Sequence, residues 1–279
     1  MFIKKIIKLF VPPIILKVIH DIRFSVKKTG WFAGFDSFEA AKKISTGYDS
    51  DIILQKCSTS LQKVKSGEVV YERDSYLFDE VQYYYPLLSS LLWVASQNNN
   101  TLSIIDFGGS LGSSYYQNRF FLSHLKKLEW NIVEQEQFVT EGKKIFEDEI
   151  LKFYYSIDEV LAERKADMII FSSVIQYIEK PFELLNKVIN YNFKYILFDM
   201  TGVIKGENDI VTRQIVPEYI YKADYPCWFF SESKFINFFS SHYDLIFNFF
   251  GYFNNRIEIH NSKTIAQYKG FLFRLKQEN

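Results

Sequence analysis

A glycine-rich loop between an apolar run and a helical pattern is the first feature that could do chemistry. It reads Asp-Phe-Gly-Gly-Ser-Leu-Gly over residues 106–112. Glycines let the backbone turn sharply and approach a ligand closely, and the N-terminus of the following helix offers free N–H groups. The loop therefore indicates a nucleoside-type binding site, with simple packing of a strand on a helix as the alternative.

An acidic residue, Glu134, ends the next apolar run and could complete such a site. A carboxylate only accepts hydrogen bonds, so it suits the two hydroxyls of a ribose. The alternative is a glutamate with no role beyond the surface. The dinucleotide fingerprint Gly-x-Gly-x-x-Gly is not met, because Ser110 stands two places after Gly108.

Alternating strands and helices must position these residues. Five short apolar runs predict buried parallel strands at 103–106, 130–134, 152–155, 167–171 and 195–199. Helical patterns lie between them near 113–127, 138–148, 157–164 and 181–190. Two further runs, 243–250 and 268–275, have no such helix between them and predict an antiparallel pair that closes the sheet. The pattern predicts an α/β, Rossmann-like fold with a mostly parallel sheet and an antiparallel last strand.

Three regions are expected along the chain: a basic amphipathic N-terminal segment (1–30), a helical cap (31–100) and the ligand-binding domain (101–279). Within the last region, residues 201–230 predict an insertion that forms a substrate wall, or a lid packed by its own aromatic side chains. Helix starts are predicted at Ser37 and at Asp79. The N-terminal segment carries a net charge of +6. It is expected to contact an anionic membrane surface through residues 1–28, or alternatively to pack on the domain.

Composition narrows the classes of function. With 33 basic and 33 acidic side chains the net charge is zero, which argues against nucleic acid as the main partner. The two cysteines, Cys57 and Cys227, show no CxxC spacing, so neither a disulfide framework nor a metal site is expected. This fits a cytoplasmic protein, placed at the inner face of the membrane if the N-terminal segment binds there.

The loop and its flanks resemble the first motif of class I S-adenosylmethionine (SAM)-dependent methyltransferases, apolar-apolar-Asp-x-Gly-x-Gly-x-Gly. Residues 104–112 match it except at Ser110, which replaces the middle glycine. More narrowly, the chain resembles a family of methyltransferases whose activity is inferred and which is often associated with surface-polysaccharide biosynthesis. The segments that carry this resemblance are 106–113, 116–119, 133–135, 172–179, 214–217, 220–221 and 225–228.

The resemblance implies SAM as cofactor, with the loop facing its methionine part, Glu134 its ribose, residues 156–158 its adenine and residues 172–176 the methyl-transfer path. The residues expected to bind the cofactor are Asp106, Gly108, Gly109, Ser110, Gly112, Glu134, Gln135, Ser156, Ile157, Ser172 and Ser173. The residues expected to contact substrate are Tyr116, Arg119, Gln176, Arg213, Gln214, Tyr225 and Trp228, and Asp224 is the candidate base.

The expected activity is methyl transfer to a sugar or polysaccharide intermediate, since aromatic faces beside hydrogen-bonding groups suit a sugar. Three alternatives remain open at this point. They are a catalytically silent subunit with a SAM-binding fold, a scaffold of a glycan assembly complex, and an NAD-dependent sugar-modifying oxidoreductase.

Overall fold

The computed structural model describes residues 29–47, 50–73, 75–218, 220, 222–252 and 256–277. The predicted amphipathic segment therefore lies, up to residue 28, outside the described residues, and so does Tyr221 of the resemblance.

Thirteen strands and eight α-helices form the described part of the chain. The strands are β1 (Gly30–Phe35), β2 (Tyr71–Arg73), β3 (Tyr76–Phe78), β4 (Thr101–Phe107), β5 (Lys127–Val133), β6 (Leu151–Tyr154), β7 (Met168–Ser172), β8 (Tyr195–Ile204), β9 (Ile210–Ile215), β10 (Asp224–Ser231), β11 (Tyr243–Phe250), β12 (Ile257–His260) and β13 (Ile265–Leu275). The helices are α1 (Phe38–Lys43), α2 (Ser50–Ser66), α3 (Tyr85–Ser96), α4 (Ser113–Leu122), α5 (Glu136–Ile145), α6 (Ile157–Glu163), α7 (Pro181–Asn190) and α8 (Glu232–Phe239).

The central sheet has the strand order β6-β5-β4-β7-β8-β13-β11. Strands β4 to β8 pair in parallel, whereas β13 runs antiparallel to both β8 and β11. The prediction of a mostly parallel sheet with an antiparallel last strand is therefore confirmed. All five predicted parallel strands and the closing pair are present.

Both faces of this sheet are covered, which explains why its strands are continuous apolar runs. Alternate residues of each strand enter two cores, as Ile104 and Ile105 of β4 do. Helices α2 to α5 pack in the first core and α6 to α8 in the second. Successive side chains point to opposite faces, so residues two places apart share one core.

A closed barrel grows from the far half of β8. The pairings run from β8 to β13, β12, β1, β9 and β10 and then return to β8. This six-stranded ring encloses a separate small core that includes Ile204, Cys227 and Phe229. Closure leaves these strands with few unpaired edges. A β-bulge in β8, where Asp199 and Met200 face Gly270 alone, marks the boundary between sheet and barrel.

The barrel corrects two expectations. Residues 31–100 are not wholly helical, because 30–35 form barrel strand β1 and residues 71–78 form the β2–β3 hairpin. The predicted insertion, 201–230, consists of the end of β8 with β9 and β10 rather than a lid packed on itself.

The two predicted helix starts fare differently. Ser37 caps α1 as predicted, its Oγ accepting a hydrogen bond of 3.1 Å from the N–H of Ala40. The helix expected from Asp79 begins only at Tyr85, because Pro86 favours the first turn of a helix.

Candidate functional site

The order of the parallel strands reverses at β4, which is the position where α/β sheets bind ligands. From β4 the chain moves outward through β5 and β6, and then returns to β7 and β8 on the other side. Three polar residues, Asp106, Glu134 and Ser172, stand at or next to the carboxyl ends of their strands, and Asp199, within β8, pairs with Ser172 at the end of β7. Each of the four follows a residue of the first core by two places. Their side chains therefore share one face of the sheet, at one crevice.

The glycine loop has a geometry that requires its glycines. Gly108 and Gly112 have φ of +71° and +103°, in the left-handed region that favours glycine. A Cβ on Gly108 would lie 2.4 Å from a methyl carbon of Val174, and one on Gly109 would lie 2.6 Å from the Asp106 carboxyl group. Ser110, at the middle glycine position of the motif, has a φ of +52°. The loop thus wraps tightly over the carboxyl group of Asp106.

Asp106 is an acid buried under the loop, with 1% of its surface exposed. Its Oδ2 accepts a 2.9 Å hydrogen bond from the indole Nε1–H of Trp130. Burial raises the pKa of Asp106 to about 7; the Trp130 hydrogen bond works against the rise, and the charges of Glu134 and Asp199 add to it. The Asp106 carboxyl group therefore has a pKa close to neutral pH.

Glu134 follows the end of β5, and its N–H donates to the carbonyl of Tyr154 on β6. Its carboxylate accepts hydrogen bonds from the N–H groups of Gln135 (2.6 Å) and Ser110. Burial nonetheless raises the pKa of Glu134. The contact with Ser110 places this carboxylate against the loop.

Asp199 is a site residue that the sequence analysis missed. Only 3% of it is exposed, and its Oδ2 accepts a 3.0 Å hydrogen bond from Ser172 Oγ. Its Oδ1 is buried without a hydrogen-bond partner among the described residues. Burial raises the pKa of Asp199 to about 6, and the polar groups of Ser172, Met200 and Tyr84 near its carboxyl group work against the rise. Its position could have revealed it, since an acid near the end of a buried apolar run is also what marks Asp106.

Gln176 and its neighbours form one wall beside these strand ends. Gln176 is fully buried, donates a 3.1 Å hydrogen bond to the Met200 carbonyl, and leaves its Oε1 without a described partner. Next to it, Tyr177 donates to Gln214 Oε1 at 3.0 Å and meets the Tyr225 ring edge-on at 5.2 Å. The structure therefore groups three predicted substrate residues, Gln176, Gln214 and Tyr225, around Tyr177.

Trp228 lies at the outer end of the same wall. Its indole Nε1–H donates a 3.1 Å hydrogen bond to the carbonyl of Ile178, and its ring stacks on Phe38 at 5.9 Å. These contacts already use its polar group and one ring face.

The expectation that Asp224 is a base is corrected. Its carboxylate pairs with Arg213 and accepts hydrogen bonds from the hydroxyl and N–H of Thr46. Burial works to raise the pKa of Asp224, but the bonds from Arg213 and Thr46 outweigh it and lower the pKa. The pair joins β9 and β10 to the segment after α1, so Arg213 and Asp224 hold the barrel together instead of facing a substrate.

Tyr116 and Arg119 also differ from expectation. Tyr116 is 8% exposed and packs edge-on against Phe146 in the first core, with a ring separation of 6.4 Å. The Arg119 guanidinium stacks over the Tyr116 ring at 4.9 Å. The phase of α4 explains this, because Tyr116 falls on the face of the helix that packs on the sheet. Both residues have structural contacts and are not brought to the wall.

Two of the remaining predicted cofactor residues are helix N-caps. Gln135 and Ser156 are the N-caps of α5 and α6, and Ser156 Oγ accepts a 3.2 Å hydrogen bond from Glu159 N–H. Ile157 is buried in the second core. Ser173, after β7, has a φ of +55° and donates its N–H to the Asp199 carbonyl at 2.9 Å.

The described residues contain no cluster of three or more His, Cys, Asp or Glu side chains that could hold a metal ion. In the same part of the chain, no helix is both long enough and apolar enough to cross a membrane.

Comparison with known proteins gives structural similarity only. No protein-family model matches the chain, and no curated protein does. The N-terminal domain of EvdMO1, crystallised in the presence of S-adenosylhomocysteine (SAH) and D-fucose, is 11% identical with a TM-score of 0.48, covering 82% of this chain and 98% of its own. An S-adenosylmethionine-dependent methyltransferase from Clostridium acetobutylicum is 13% identical with a TM-score of 0.44, covering 80% and 99%.

A third solved structure is magnesium protoporphyrin IX methyltransferase from Synechocystis with bound SAM. It is 11% identical, has a TM-score of 0.42, and covers 83% of this chain and 99% of that one. At these identities and TM-scores the similarities carry no conclusion about function.

Proposed function

We propose that the protein is a SAM-dependent methyltransferase. The observation that carries the proposal is the carboxyl group of Asp106 directly beneath the glycine loop, at the reversal point of the sheet. Glu134 and Asp199 add two more carboxyl groups to the crevice, and in the described part of the chain none of the three has a Lys or Arg ion pair. Such a site favours a nucleoside with cationic groups, and SAM has a sulfonium and an α-ammonium.

The same charges disfavour a dinucleotide. A pyrophosphate carries two negative charges. It would bind to the N–H groups of the loop, directly above the carboxyl group of Asp106. Like charges at close range in a partly desolvated site repel strongly. The loop also lacks the glycine spacing of a dinucleotide site, as Ser110 shows.

Different residues of the site would contact different parts of SAM. The loop at 108–112 would lie against the methionine part, Glu134 would accept hydrogen bonds from the ribose hydroxyls, and residues 156–157 would border the adenine. Residues 172–176 would flank the path of the methyl group. Methyl transfer is a displacement at an activated carbon, so the protein contributes mainly by positioning the two reactants.

The acceptor we propose is a hydroxyl of a sugar or polysaccharide intermediate. The wall of Gln176, Tyr177, Gln214 and Tyr225 presents aromatic edges beside amide groups, a combination that suits a polar ring with several hydroxyls. We also propose a cytoplasmic location, with the segment before residue 29 contacting the membrane surface.

A catalytically silent SAM-binding subunit is the second candidate. The observation that favours it is the ion pair of Asp224 with Arg213, which removes the base that the sequence offered. Incubation with labelled SAM and sugar or glycan acceptors separates the two candidates. Transfer of label to an acceptor supports the enzyme, and tight SAM binding without transfer supports the silent subunit.

Binding is tested by titration calorimetry with SAM, SAH and NAD⁺. We expect SAM and SAH to bind and NAD⁺ not to bind. Glu134→Ala should weaken SAM binding by about 10- to 100-fold, because a hydrogen bond to a charged group contributes about 1.5–3 kcal/mol.

The matched control is Glu136→Ala, two positions further along on the first turn of α5, where the side chain is exposed. It should bind SAM as the unmodified chain does. Tight binding of NAD⁺, or no binding of SAM, would overturn the proposal.

A further inference from the structure

Asp199 remains unexplained by the roles proposed above for the loop and Glu134. It is a buried carboxyl group with one oxygen held by Ser172 and the other without a partner among the described residues. A buried charge without a counterion is costly, and native proteins rarely keep one without a function. Its position on the bulge of β8, where the sheet ends and the barrel begins, turns it into the crevice.

The placement of Asp199 relative to Glu134 matches an elongated ligand. Strands β5, β4, β7 and β8 are successive neighbours, so Glu134 and Asp199 stand three strand spacings, about 14 Å, apart. Asp106 lies between them, one strand from Glu134 and two from Asp199. A nucleoside whose ribose is held at Glu134 would extend its amino-acid arm over Asp106 toward Asp199.

The groups that face Asp199 include no cation among the described residues. Ser172 on β7 donates to one oxygen, while the Tyr84 hydroxyl, just before α3, lies close by and donates to the Phe250 carbonyl at 2.6 Å. From β4, the charge of Asp106 acts on the same space. Within the described ranges no Lys or Arg forms an ion pair with Asp199, so a positive ligand group would meet an unneutralised carboxyl.

We propose that Asp199 is a ligand-binding residue whose free oxygen receives a cationic centre of the ligand, the sulfonium or the α-ammonium of SAM. This inference rests on the proposed function. With the ribose at Glu134 and the cationic arm at Asp199, the two acids fix the direction of the ligand across the sheet. Binding of the cation also drives ionisation of the buried carboxyl, so it releases a proton when Asp199 starts protonated.

The test compares Asp199→Asn with Asp244→Asn by calorimetry. The control residue lies on β11 with about half of its side chain exposed. Three probes are used: SAM, with both cationic centres; SAH, with the ammonium only; and 5′-methylthioadenosine, with neither. We expect Asp199→Asn to bind SAM at least about tenfold more weakly, to bind methylthioadenosine normally, and Asp244→Asn to change nothing.

The comparison of SAM with SAH identifies which cationic group lies at Asp199. An equal loss for SAM and SAH places the ammonium at Asp199, and a loss for SAM alone places the sulfonium there. Unchanged SAM affinity in Asp199→Asn, together with loss in Glu134→Ala, overturns this inference and leaves the proposed function standing. Failure of the unmodified chain to bind SAM overturns both.

A second measurement uses the unmodified chain and does not depend on how the variant folds. Near pH 5.5, SAM is titrated in two buffers whose ionisation enthalpies differ, and the difference in heat counts the protons released. Because the pKa of Asp106 is raised to about 7 and that of Asp199 to about 6, both carboxyl groups are mostly protonated at this pH, and we expect release of more than about one proton per SAM and none with methylthioadenosine. Equal heats for SAM in both buffers would refute the inference.

Discussion

Replacing Asp106 by asparagine should make the ligand-free protein more stable, and by an amount that depends on pH. Asparagine can still accept the Trp130 hydrogen bond but carries no charge to bury. The pKa of Asp106 is raised from 3.8 to about 7 by burial. For a raised pKa, the protonated acid is fully compatible with the fold below the unfolded-state value, and stability is lost as pH rises through the folded-state value.

The size of this effect follows from the shift. About three pKa units at 1.36 kcal/mol each amount to about 4 kcal/mol. The free energy of unfolding of Asp106→Asn minus that of the unmodified chain should therefore rise by about 4 kcal/mol between about pH 3 and pH 8, and then level off. About 2 kcal/mol of this rise should fall between pH 5 and pH 7.

Urea denaturation followed by tryptophan fluorescence measures this difference, with the ligand absent and at several pH values. The slope with urea should not change, so that midpoints report stability alone. The exposed Asp244→Asn is the matched control and should show no comparable rise. A difference between Asp106→Asn and the unmodified chain that stays constant from pH 5 to pH 7.5 would refute the picture of a buried acid that must ionise in the crevice.

Two further predictions concern the loop and the barrel. Gly108→Ala should lower the free energy of unfolding by about 1–3 kcal/mol, because its Cβ would lie 2.4 Å from Val174 at a φ of +71°. Adding Val174→Ala should relieve the clash but not the backbone strain, so a double-mutant cycle measured in urea should recover only part of the loss. Arg213→Met should cost about 1–3 kcal/mol at pH 7, because it leaves the Asp224 carboxylate without its cation. Since pairing lowers the pKa of Asp224 from its ordinary value of 3.8, the cost should be fully present above that value and shrink as pH falls below it, and equal costs at about pH 2.5 and pH 7 would contradict the role of the pair.

The central sheet could be predicted from the sequence because its strands are buried on both faces. Each such strand is a short continuous apolar run, and the run alone reveals it. Barrel strands β1, β9 and β12 lack that pattern, since many of their residues are only half-buried. Their partners also come from distant parts of the chain, and no local pattern records a long-range pairing.

The site divides in the same way. Gly108 and Glu134 were predictable because their signals are local in the sequence. A left-handed turn favours glycine, and Glu134 directly follows an apolar run that predicts a strand. The role of Asp224 was not predictable, because it depends on a diagonal contact with Arg213 across β9 and β10. Asp199 could have been noticed by the same rule, because it ends the predicted run 195–199, but its hydrogen bond from Ser172 depends on the pairing of β7 with β8.

The closure of the barrel fixes the order in which the chain can be completed during synthesis. Trp31 of β1 pairs with Ile259 of β12, so the first barrel strand to leave the ribosome must wait for nearly the last. Until β12 and β13 emerge, β1 presents an open edge, which is a known route to aggregation. A chain interrupted before residue 257 would keep β4 to β8 but lose both the ring and the strand that covers β8. The first barrel strand, β1, can therefore be fully paired only after β12 has been synthesised.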